Sequence, residues 1–365
     1  MNCKILFLVI LFLTLGLALS IPQNYESIFN FGDSLSDTGN LLLSGALAFP
    51  VIGQLPYGKT FFQHATGRCS DGRLIIDFIA EAFSLPYVPP YLAVKQGQSA
   101  QHGVNFAFAG ATALDAEFFF ERNISILWTN NSLNVQLNWF RDLKSDLCSD
   151  KECDFFKKSL FMVGEIGGND YNYAFFLGGG SKQLRSMVPL VVGAITDATS
   201  ALIEEGAAEL MVPGNFPIGC SAVYLTLFES PNKEDYDRHG CLKAFNAFAK
   251  YHNSQIKKAL DMLRQKYPHV RIMYADYYGA AMRFVHTPLH HGFYGGTLKA
   301  CCGGGGPYNF NNSARCGHAG SEACQDPSIY SNWDGIHLTE AAYRYIALAL
   351  INGSSSQPPL LSRPL

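Results

Sequence analysis

The stretch "SIFNFGDSLSDTGN", residues 27–40, turns within a few positions from an apolar run to glycine, aspartate and serine. An apolar run this short, bounded by turn formers, reads as a strand ending near Phe31, with Ser34 on the turn beyond it. The pattern recurs along the chain. "GVNFAF" (103–108) leads into "AGAT", "SLFMVGE" (159–165) into "GGND" and "AELMV" (208–212) into "PGNFPIG", while "VRIMYA" (270–275) is a fifth strand candidate. Longer amphipathic segments lie near 71–83, 131–146, 182–205, 239–266 and 339–351 and read as helices. Strands alternating with helices imply right-handed crossovers and a parallel α/β sheet covered on both faces. The carboxyl ends of such strands share one edge, where ligand crevices form. Ser34, Gly110 and Asn169 are therefore expected to meet although far apart in the chain.

The bulk properties narrow the function. The chain has 365 residues, a formal net charge of −3, 48% hydrophobic and 16% charged residues. It can bury a large core and has no basic stripe, so nucleic acid is excluded as the expected partner. Residues 1–20, "MNCKILFLVILFLTLGLALS", carry one lysine, an apolar run and a small-x-small end, the pattern of a cleaved signal peptide rather than an anchor. Residues 21–352 read as one domain, and 353–365, "GSSSQPPLLSRPL", as a disordered tail. The sequons at Asn123, Asn130, Asn311 and Asn352 agree with the secretory route, to the extracellular space or a vacuole. Outside residues 1–20 an odd number of cysteines remains, so at least one stays unpaired or bonds between molecules. Local spacing suggests Cys148 with Cys153 and Cys220 with Cys241, and leaves the pairing of Cys301, Cys302, Cys316 and Cys324 open. No metal site is expected: two CxxC pairs are lacking, and "HTPLHHGF", with His286, His290 and His291, has no carboxylate at helical spacing and reads as a loop at a cleft rim.

The chemistry lies in four segments. A serine attacks a carbonyl only when a base takes its proton, usually a histidine oriented by a carboxylate. "NWDGIHLTEAAYRY" supplies Asp334 and His337 three residues apart, ahead of a helix capped by Thr339 with Glu340 in its first turn. "FAFAGAT" brings the backbone of Gly110, and "GEIGGNDYN" the amide of Asn169, as donors for an oxyanion. The G-x-S-x-G pentapeptide of the α/β-hydrolases is absent. "CCGGGGPYNF" lacks the lysine and hydroxyl residue of a phosphate loop and reads as a disulfide-stapled loop. "EFFFERN" (117–123) reads equally as core or as a wall of an acyl pocket.

In this order, "FNFGDSLSDTGN", "VNFAFAGATALD", "GEIGGNDYN" and "NWDGIHLTEAAY" resemble the successive signature blocks of the GDSL esterase/lipase family within the SGNH hydrolases. "VPGNFPIGC", "YPHVRIMYADYY" and "ACCGGGGPYNF" are similar to its plant members, particularly the subgroup of sinapine and acetylajmalan esterases. The resemblance implies a three-layer α/β/α, flavodoxin-like fold with a five-stranded parallel sheet and an open cleft. It implies Ser34 as nucleophile, His337 as base and Asp334 as its orienter, with Ser34, Gly110 and Asn169 forming the oxyanion hole. The expected activity is hydrolysis of small-molecule carboxylic esters, acetyl or phenylpropanoid, by a monomer without cofactor or membrane anchor. An acyltransferase using the same acyl enzyme, and a non-catalytic binding protein on this fold, stay open as alternatives.

Overall fold

All five residues of Ser27–Phe31 (β1) are buried, so the strand has no solvent face and feeds two separate cores. Phe29 and Phe31 point to one side, stacked on Phe161 and Phe106 with ring centroids 5.0 and 5.1 Å apart. Ile28 points to the other, among Leu160, Met162 and Met273. The computed structural model describes residues 25–148, 154–180 and 184–361. The leader read from residues 1–20 lies outside the described residues, among which no helix is long and apolar enough to cross a membrane.

The sheet adds Gly103–Asn105 (β2), Ser159–Val163 (β3), Glu209–Pro213 (β4), Arg271–Ala275 (β5) and Ser356–Gln357 (β6), in the order β6-β5-β4-β3-β1-β2. β1 to β5 are parallel, as the strand reading and the resemblance imply. Helices Leu133–Leu147 (α2), Val188–Glu204 (α4) and Lys243–Lys266 (α5) cover the Phe29 side, and Ile75–Ala82 (α1), Tyr277–His286 (α6) and Glu340–Ile351 (α7) the Ile28 side. This is the three-layer α/β/α sandwich. The chain leaves β1 toward β2 on one side and returns to β3 on the other, so Ser34 lies where the strand order reverses and a crevice must open. β2 stops at Asn105 rather than 108. Past it the Phe106 and Phe108 N–H groups still donate to the Asn30 and Gly32 carbonyls, while the Asn105 and Ala107 carbonyls accept from the Asn40 side chain.

The tail departs from its expectation of disorder. β6 pairs antiparallel with β5 and covers an edge that would otherwise stay open. Leu360 is fully buried, its N–H donates to Ser356 Oγ at 3.0 Å, and Arg271 donates to the carbonyls of Pro359 and Leu360. A serine- and proline-rich composition signals disorder only when no apolar residue finds a hole to fill, and Leu360 finds one.

Among the described residues disulfides join Cys220 to Cys241, Cys301 to Cys324 and Cys302 to Cys316, closing the open question of the last four cysteines. Cys69 is the free cysteine of the described residues and is buried. The Cys148–Cys153 pairing involves Cys153, which lies outside them. Asn123, Asn130, Asn311 and Asn352 are all exposed.

Replacing Leu360 by alanine is expected to cost about 2–4 kcal/mol, the range for emptying a filled apolar site. Urea unfolding followed by tryptophan fluorescence reads this directly; an unchanged midpoint would mean that the tail does not contribute to the core.

Candidate active site

The site is built from turns that follow β1, β2 and β3 and from the segment preceding α7. After β1 the chain makes one helical turn in which Ser36 and Asp37 donate their N–H groups to the Asp33 carbonyl. Gly32 opens it at φ +150°, where an added Cβ would lie 2.6 Å from Ser36 Oγ and 2.8 Å from the Glu165 carbonyl. Gln136 of α2 clamps the same glycine, accepting from its N–H and donating to its carbonyl, both at 2.9 Å. Ser34 is thereby held at the tip of a braced turn.

Asp37 ties this turn to the one after β2. Its carboxylate accepts backbone N–H groups from Gly39, Asn40 and Leu41 and, across the site, from Ala109 at 2.9 Å. The neighbouring Gly110 has φ +86°, and a Cβ there would sit 2.6 Å from Trp128 Cβ, so no other residue fits without rearrangement. Asp170, on Gly168–Phe176 (α3), accepts from the N–H groups of Ala113 and Leu114 and locks the third turn to the second. Asp33, Leu35, Ala109 and Ala111 all donate their backbone N–H groups within the protein. Among the described residues, those of Ser34 and Gly110 between them have no such acceptor.

His337 reaches this cradle from the other end of the chain. Asp334 Oδ1 accepts the N–H groups of Ile336 and His337 at 3.0 and 2.9 Å, folding the segment into a tight turn. Asp334 Oδ2 accepts from His337 Nδ1 at 2.7 Å, which leaves Nε2 to accept the Ser34 hydroxyl at 2.8 Å. Thr339 caps α7 through the Ala342 N–H, as its position suggests. Glu340 donates its N–H to Asp71 and pairs with Arg73 at 2.8 Å, docking the helix onto the loop before α1.

Burial opposes charge on both partners, but mutual attraction prevails. Asp334 is held at about 2 by His337 and the turn N–H groups, and His337 is raised well above the usual imidazole range, chiefly by Asp334 and in part by the Cys69 sulfur. The stabilisation from Asp334 is complete above its unfolded value and lost as pH falls through about 2. That from His337 is complete below about 6.5 and lost as pH rises through its raised value.

Asn169 faces the same space, yet its Nδ2 donates to Asp33 Oδ2 at 3.1 Å and to the Ala111 carbonyl at 3.0 Å. An oxyanion would share one of these hydrogens. Behind it lies a second acid, Glu165, against Asp33. Burial raises Asp33 to about 7 and Glu165 well above the carboxylic range, so Glu165 keeps its proton and donates it to Asp33.

Two recesses meet at Ser34. An outer cleft is lined by Gly110, Trp128, Asn169, Arg315 and His337. An inner, largely apolar one runs past Phe216, Ile218, Tyr224, Phe284 and Leu338. The expected residues Ser34, Gly110, Asn169, Asp334 and His337 thus come together. In "EFFFERN" Phe119 is fully buried but Phe120 is exposed, and no residue of the segment lines either recess; the cleft wall is formed further on by Ile126 and Trp128. His286, His290 and His291 line neither recess.

Sequence reading missed Tyr57, whose hydroxyl donates to Asp334 Oδ2 at 2.8 Å, as well as Asp37, Gln136, Asp170 and Glu165. Asp37 two residues before Gly39 carried the signal of an Asx turn; Tyr57, on a loop far from the other site segments, carried none.

Ser34 thus stands on a braced turn at the switch point of a parallel sheet, hydrogen-bonded to a carboxylate–histidine pair, in an α/β sandwich that lacks the G-x-S-x-G of the α/β-hydrolases. The profile of GDSL-like lipases and acylhydrolases matches residues 28–350. The chain belongs to this family and is a carboxylic ester hydrolase. It is 58% identical to a GDSL esterase/lipase of Arabidopsis thaliana over 342 residues, 92% of each chain. It is 49% identical to the sinapine esterase of Brassica napus over 359 residues, 96% of this chain and 92% of that one.

Changing Tyr57 to phenylalanine removes a hydrogen bond to a buried carboxylate and is expected to cost about 1.5–3 kcal/mol in chemical denaturation. With less competition for Asp334 Oδ2, the imidazole pKa is expected to rise further, moving the acid limb of the pH–rate profile upward; a limb that stays put would remove Tyr57 from the site.

Proposed function

We propose that Ser34, His337 and Asp334 form a catalytic triad and that the protein hydrolyses small-molecule esters through an acyl enzyme. The observation that carries this reading is the unbroken hydrogen-bond chain from Ser34 Oγ through both nitrogens of His337 to Asp334. Beside it, the backbone N–H groups of Ser34 and Gly110 have no acceptor among the described residues.

His337 Nε2 takes the Ser34 proton as Oγ bonds to the ester carbonyl carbon. The developing oxyanion accepts from the N–H groups of Ser34 and Gly110 and from Asn169 Nδ2. His337 then protonates the leaving alkoxide oxygen, and the C–O bond breaks. Water repeats the sequence on the acyl enzyme and restores the serine. The leaving oxygen has to lie near His337, which lines the outer cleft and not the inner recess, so the alcohol part faces outward. The acyl group then extends inward, where an apolar, aromatic lining suits a phenylpropanoid acyl group and accepts an acetyl one. The exposed sequons and the leader-like residues 1–20 support entry into the secretory pathway.

Purified protein is expected to hydrolyse a short-chain aryl acetate and a sinapoyl ester, with Ser34→Ala slower by at least about 10⁴-fold in kcat/KM and Asn169→Ala by about 10²–10³-fold. Equal rates in Ser34→Ala would remove Ser34 as nucleophile.

Because Asp334 raises the pKa of His337, the acid limb of kcat/KM is expected above the usual imidazole value of about 6.5. In Asp334→Asn the limb should move down while kcat falls by about 10⁴-fold. A limb at the same pH in both proteins would mean that another group titrates.

A further inference from the structure

The outer cleft holds a cation without a counter-ion. Arg315 lines it together with Ser34, Gly110, Trp128 and His337, and no aspartate, glutamate or lysine joins them. The backbone of Arg315 is fixed on both sides: it bridges to Gly303, and its neighbour Cys316 is bonded to Cys302. Its side chain is half-buried. Other arginines in comparable surroundings are matched, Arg68 with Asp77, Arg73 with Glu340 and Arg271 with Glu209. Among the described residues the Arg315 guanidinium makes no hydrogen bond or ion pair. The carboxylate behind the cleft, Asp334, already has four hydrogen-bond donors and is not available to it. A guanidinium on a fixed backbone, partly withdrawn from water and lining the same cleft as Ser34 and His337, is a docking point for a carboxylate or another planar anion.

The position of Arg315 selects which part of the ester carries that anion. It lies on the His337 side of Ser34, where the leaving alcohol emerges, and not in the inner recess. We propose that Arg315 is a specificity-determining residue that favours esters whose alcohol part bears an anionic group, with Trp128 in the same cleft as an aromatic wall for its carbon frame. This rests on the hydrolase reading above and adds the charge class of the alcohol. The released product would be a hydroxylated acid, such as a hydroxybenzoate, together with the carboxylic acid of the acyl group; the ester bond breaks and water supplies the hydroxide and proton.

The test compares three acetate esters that differ in the charge of the leaving phenol: para-acetoxybenzoate, its neutral methyl ester and para-acetoxyphenyl-trimethylammonium. The quantity read is the ratio of kcat/KM for the anionic ester to that for the neutral one, so that any general loss in a variant cancels. Arg315→Gln is expected to lower this ratio about tenfold, the scale of one charge-assisted contact. Arg315→Lys should retain most of it, and Arg315→Glu should favour the trimethylammonium ester. In the unmodified protein the same ratio should shrink as salt rises from about 0.05 to 0.5 M, because exposed charge pairs are screened. A ratio unaltered in Arg315→Gln, or insensitive to salt in the unmodified protein, would overturn the proposal. Failure of the unmodified protein to cleave even the neutral ester would instead overturn the hydrolase reading on which it stands.

Discussion

Four backbone N–H groups converge on one buried carboxylate, Asp37, and the geometry of the site depends on that convergence. Three come from the turn just beyond Ser34 and one from Ala109, next to Gly110. Burial pushes the Asp37 pKa up, and the four donors offset part of this by favouring the charged form. The two loops that carry Ser34 and Gly110 are therefore not independent. Gln136 and Asp170 extend the same logic, each using a buried polar side chain to fix backbone that is neither helix nor strand. Such networks hold only when every member is satisfied, which makes them intolerant of substitution and good at fixing distances.

The strands, their parallel arrangement and the chemistry-bearing segments were readable from sequence because each depends on local pattern. β1 is short and apolar and ends in a turn; Asp334 and His337 fall in one turn, so their spacing is itself the geometry. What joins distant segments was not readable. Tyr57 meets Asp334 across 277 positions and Glu165 meets Asp33 only through the packing of two strand ends. The tail shows the same limit from another side. Its composition says nothing about Leu360 because the hole that receives it exists only once β5, α6 and α7 are assembled.

The disulfide-rich segment 301–324 acts as scaffold for the Asp334–His337 turn. Cys301 and Cys302 donate their N–H groups to the carbonyls of Asn332 and Trp333, which lead directly into Asp334. Trp333 in turn donates to the His337 carbonyl at 2.8 Å. The same segment carries Arg315 into the cleft. One stapled loop thus supports the His337 turn and places the Arg315 charge in the same cleft.

Ser34 and His337 are hydrogen-bonded across 303 residues of chain. The Ser34 turn follows the first strand, and the imidazole lies on a segment beyond the last parallel strand in the chain. Contacts of this sequence separation form late, since closing so long a loop has to be repaid by the sheet beneath it. A chain lacking its final segment therefore contains Ser34 but neither Asp334 nor His337. Under the proposed triad, competence to attack esters therefore requires both ends of the chain in one assembled molecule.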